Sequence, residues 1–75
     1  MSSRISIDPA ICHGKPVITG TRVLVSTPLG ALAGGDSIET VLEDYPTVTR
    51  EDIAAALEFA KKLSDYQVRP YEAVA

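Results

Sequence analysis

One cysteine, Cys12, and one histidine, His13, are all that this 75-residue chain has of either type. An internal disulfide is therefore excluded, and the lone thiol fits a reducing, cytoplasmic setting. A structural zinc site takes four ligands in spaced pairs, which the chain does not contain. Cys12 and His13 are sequence neighbours, and neighbours rarely meet in the geometry of a Cys–His catalytic pair. Cys12 is expected to be a small apolar filler, and His13 to lie at a polar surface. No apolar run approaches the ~20 residues of a membrane span, and no charged-then-apolar leader precedes a cleavage site. No glycine loop precedes a helix with the Lys-Ser/Thr of a phosphate-binding loop. The carboxylates have no paired spacing that singles out an acid and a base. The expectation is a soluble cytoplasmic protein that is not an enzyme, with no cofactor, metal or small-molecule substrate.

Positive charge is also scarce. The formal net charge is -3, which argues against strong non-specific nucleic-acid binding. The signs are unevenly placed. Residues 1–35 carry Arg4, Lys15 and Arg22 against Asp8, a net of +2. Residues 36–75 carry nine acids against Arg50, Lys61, Lys62 and Arg69, a net of -5. A basic surface, if one forms, belongs to the N-terminal segment. A hydrophobic content of 45% is that of a globular chain. So short a domain buries only about 60% of its unfolded surface, and a homodimer is expected to supplement its core.

The densest punctuation is Gly14-Lys15-Pro16-Val17-Ile18-Thr19-Gly20-Thr21-Arg22-Val23. Pro16 drives Lys15 into extended backbone, so the chain enters Val17 as a strand. Gly20 is the natural residue for a positive φ, which predicts a tight turn at Ile18-Thr19-Gly20-Thr21. Lys15 and Arg22 flank that turn on long side chains. The ribbon reads either as a stable hairpin with a wet rim or as a binding loop. Upstream, Arg4-Ile5-Ser6-Ile7 alternates as a short strand ended by Asp8-Pro9. It must pair with the Val17 or the Val23 segment, in its own chain or a neighbour's.

Three helices are predicted after a Val23-Leu24-Val25 strand. The first has Thr27 as N-cap, Pro28 as its first residue, Leu29, Leu32 and Ala33 on one face, and Gly34-Gly35 as its stop. Gly30 in its middle costs about 1 kcal/mol, which a close helix crossing there would offset. The second starts at Ser37 or Asp36, buries Ile38, Val41, Leu42 and Tyr45 at i, i+3, i+4, i+7, and stops at Pro46. The third is capped by Thr49, with Asp52 completing a capping box and Val48 stapled onto Ile53. Ile53, Ala56, Leu57 and Ala60 form its stripe, widened by Phe59 and Leu63. The fold class is mainly α with a small β element: N-terminal short strands or a hairpin, then a three-helix, homeodomain-like (helix-turn-helix) bundle. The short corners fit other small bundles equally. Residues 1–63 form the domain, and residues 64–75 a tail.

Several spaced motifs resemble the bacterial family known as domain of unknown function 433. They are Ile5-Ser6-Ile7-Asp8-Pro9, Gly14 to Ile18, Gly20 to Val23, Gly35 to Glu39, Tyr45-Pro46, and Thr49 to Ile53. The resemblance runs from about Ile5 to Ala60. It implies a small helix-turn-helix, antitoxin-like protein encoded beside a PIN-type nuclease toxin.

The first functional expectation is therefore an antitoxin-like module that binds and neutralises such a toxin and contacts its own promoter DNA. The DNA-binding residues are Lys15, Thr21, Arg22, Thr49 and Arg50. Thr47 shares the start of helix three with Thr49 and Arg50, but Glu51 and Asp52 at that end repel phosphate. The partner-binding residues are Tyr66, Val68, Arg69 and Tyr71 in the tail, aromatic and arginine side chains being enriched at binding hot spots. The alternative is a small homodimeric interaction or scaffold domain with no nucleic-acid role.

Overall fold

The computed structural model describes residues 3–65. In chain order it forms β1 (Ile5–Ser6), β2 (Val17–Ile18), α1 (Ser26–Ala33), α2 (Ile38–Asp44) and α3 (Arg50–Ser64). The architecture is mainly helical, with a two-stranded antiparallel pair at the N-terminal end. The partner of β1 is the Val17 segment of its own chain, with Ile5 opposite Ile18 and Ser6 opposite Val17. The first element thus lies beside a segment twelve residues further on, and the loop between them needs its own local structure.

That structure is a left-handed turn. Asp8 caps its approach, its carboxylate accepting from the Ala10 N–H at 2.9 Å. Cys12, His13 and Gly14 then take φ of 50°, 58° and 79° in succession. The Gly14 and Lys15 N–H groups donate to the Ile11 and Cys12 carbonyls at 3.0 and 3.2 Å, closing the turn. Left-handed backbone costs about 1–2 kcal/mol at each of the two non-glycine residues. Composition and periodicity carry no sign of it.

After β2 the predicted turn forms where the sequence placed it. The Thr21 N–H donates to the Ile18 carbonyl at 3.0 Å, and Gly20 lies at φ 81°. The Thr21 hydroxyl reinforces it, donating to the Ile18 carbonyl at 2.7 Å and accepting from the Val23 N–H at 3.0 Å. The expected third strand at Val23–Val25 is not one. It is reduced to a single bridge between Leu24 and Val17, flanked by the bonds from Ile18 N–H to Val23 and from Val25 N–H to Pro16. The reason is that Val25 already has helical backbone, with φ -57° and ψ -35°.

Helix α1 accordingly begins at Ser26, earlier than the Thr27 cap implied, and Val25 occupies its N-cap with no side-chain cap. Pro28 becomes the third helical residue instead of the first. It still loses no hydrogen bond, because the first four N–H groups of a helix have no acceptor within it. Pro28 is buried, Leu29 and Leu32 are half-buried, and Ala33 is exposed. The close crossing expected at Gly30 is absent: a Cβ built there meets nothing within 4 Å.

Helices α2 and α3 follow their sequence signals more closely. The Ser37 hydroxyl caps α2 by accepting from the Thr40 N–H at 3.1 Å. Val41 is fully buried, with Ile38, Leu42 and Tyr45 packed around it. Tyr45 ends the helix with φ -127° and ψ 78°, outside the helical region that a following proline disfavours. In α3, Val48 and Ile53 are both buried in one cluster with Val41, so the staple is made.

Two apolar clusters share the interior. Ile5, Ile18, Val25 and Ala56 join the strands to α3, and Val41, Val48 and Ile53 join α2 to α3. Val23 packs against both and links them. The stripe on α3 is narrower than expected. Leu57 is 46% exposed and Leu63 63%, so neither is closed off within the described residues.

Candidate interaction surfaces

The most elaborate polar arrangement lies at the start of α3. Asp52 is the single buried charged residue among those described, and it makes three hydrogen bonds with two residues, Thr49 and Arg4. Its carboxylate accepts from the Thr49 N–H at 3.0 Å, while the Thr49 hydroxyl accepts from the Asp52 N–H at 3.1 Å. Those two bonds are the reciprocal capping box. The second carboxylate oxygen accepts from Arg4 Nη1 at 3.1 Å, across 48 residues of chain. Burial pushes the Asp52 carboxyl up, but the Thr49 backbone bond, the Arg4 guanidinium and the Thr49 hydroxyl outweigh it. Its pKa is held below the ordinary carboxylate value. Arg4, half exposed on the β1 edge, thereby ties the first strand to the helix that organises the bundle.

This placement bears on the residues that the sequence offers for DNA. Thr49 has its hydroxyl committed to the cap. Thr21 has its hydroxyl committed to the turn. Arg50 is exposed and pairs with Glu39 on α2 at 3.4 Å. Arg22 is exposed beside the turn, and its carbonyl faces Cys12 Sγ at 3.8 Å. Lys15 lies at the other end of the ladder from the turn, about 10 Å from Arg22 along the strand at the usual rise. Lys15 also lines a groove with Ala60 and Leu63 near the end of α3. Arg50 opens that helix, so about 15–20 Å of helix axis separates it from this groove. The five residues form no single patch. The partner-binding set Tyr66, Val68, Arg69 and Tyr71 lies outside the described residues.

Two surfaces do emerge. One is acidic. Asp36, Glu39, Glu43, Asp44, Glu51 and Glu58 are all exposed on α2, its approach and the first nine residues of α3. Arg50 is the one cation between residues 36 and 58. The other is apolar. A groove of about 270 Å³ runs between the strand ladder, α1 and the last turns of α3, lined by Pro16, Val25, Leu29, Phe59 and Leu63 with Lys15 at its side. Sequence periodicity did not reveal it, because Phe59 and Leu63 read as ordinary core positions. Among the described residues, no group of three or more His, Cys, Asp or Glu side chains could hold a metal ion. No helix among them is long and apolar enough to cross a membrane.

Comparison with known proteins places this geometry. A family described as "Protein of unknown function (DUF433)" matches residues 5–60, from the first strand into the last third of α3. The chain belongs to the DUF433 family. A crystal structure of a DUF433 member from Anabaena variabilis ATCC 29413 is similar, with a TM-score of 0.76 and 31% identity over 81% of this chain and 60% of that one. An uncharacterized protein, y4eO, of Sinorhizobium fredii (strain NBRC 101917 / NGR234) is 37% identical over 57 residues, which are 76% of this chain and 26% of that protein. This DUF433 chain therefore spans about a quarter of the one relative and three-fifths of the other.

Proposed function

We propose that this DUF433 protein is an antitoxin-type module that acts by occupying another protein, a PIN-type nuclease, and has no catalytic task of its own. The observation that carries this reading is the excess of exposed acid on α2, its approach and α3, where six exposed carboxylates between residues 36 and 58 stand against one cation. A nuclease needs a cationic or metal-loaded channel to hold a phosphate backbone. An anionic protein surface is complementary to it, and opposite potentials speed encounter and exclude wrong partners. The family resemblance adds the nuclease as the chemical class of partner. A working compartment in the cytoplasm goes with that partner.

Contact with promoter DNA through Lys15, Thr21, Arg22, Thr49 and Arg50 is the secondary part of the proposal. Its support is weaker, because these groups are spread over the molecule and two hydroxyls serve the fold. The interaction-domain alternative needs only the apolar groove. Co-expression with the product of the adjacent reading frame, followed by pull-down and an RNase assay, tests the primary reading. Capture and inhibition that weaken in Glu43→Lys/Asp44→Lys are expected. Failure of the wild-type protein to co-purify overturns it. A gel shift on the chain's own promoter at low and moderate salt tests the DNA part, and no shift with or without the partner discards it.

A further inference from the structure

We draw no further inference here: the strongest candidate, the apolar groove walled by the strand ladder, α1 and the last turns of α3, is an unpartnered face, and nothing in the structure shows what covers it.

Discussion

Replacing Asp52 by alanine probes the junction between β1 and α3 directly. The change removes the acceptor for the Thr49 N–H and one partner of Arg4, and it takes a negative charge from the first turn of α3. Loss of the capping acceptor costs about 1 kcal/mol. Loss of the charge at the positive end of the helix adds about 0.3–1 kcal/mol. The Arg4 pair adds only about 0.2–1 kcal/mol, because Arg4 is half exposed and its charge is screened by solvent. Together these come to about 2 kcal/mol, a large part of the roughly 4–11 kcal/mol expected of a domain this size. With a urea dependence of about 1 kcal/mol per molar, the midpoint should fall by about 2 M.

The pH dependence sharpens the test. Asp52 titrates lower in the folded chain than in the unfolded one, so its stabilisation is complete above an unfolded pKa of about 3.9. It is lost as pH falls through the folded value. The gap between wild type and Asp52→Ala should therefore be constant from pH 7 to about pH 5 and narrow below about pH 4. Urea melts followed by circular dichroism measure both quantities. A midpoint shift under about 0.5 M at pH 7, or a gap undiminished near pH 2, refutes the assignment of Asp52 as the charged link.

Three further substitutions separate backbone effects from packing. Gly20→Val should destabilise by more than about 1 kcal/mol, through conformation and not through crowding, because φ is 81° and a Cβ there meets nothing. An unchanged denaturation midpoint would remove the turn. Gly30→Ala should stabilise by about 0.5–1 kcal/mol, since the site is exposed, helical and open; a lower thermal midpoint contradicts this. Ile53→Ala should cost about 2–5 kcal/mol by opening a cavity between α2 and α3, enough to leave much of the chain unfolded by circular dichroism at 37 °C. Retention of the full helical signal with a midpoint close to wild type would show that this cluster is not the core.

Local chemistry made much of this protein legible before its shape was known. The Gly20 turn, the Ser37 and Thr49 caps, the Val48–Ile53 staple and the Pro46 stop each depend on residues within four or five positions of one another. Their hydrogen bonds and φ values are decided by near neighbours, so the chain alone specifies them. Where neighbours were insufficient, the sequence reading went astray. Alternation made Val23–Val25 a strand, but the turn into α1 took Val25 for the helix. Periodicity put Leu57 and Leu63 in the core, whereas burial depends on how closely other elements pack against α3 at each position. The Arg4–Asp52 pair spans 48 residues, and two ordinary surface charges in the sequence carry no mark of it. The left-handed turn at Cys12–His13–Gly14 is likewise imposed by β1 pairing with β2 on either side of it. Tertiary packing alone separated Lys15 from Arg50 and set Lys15 beside an open apolar groove, because distance between side chains is a property of the assembled helices and strands and not of their order.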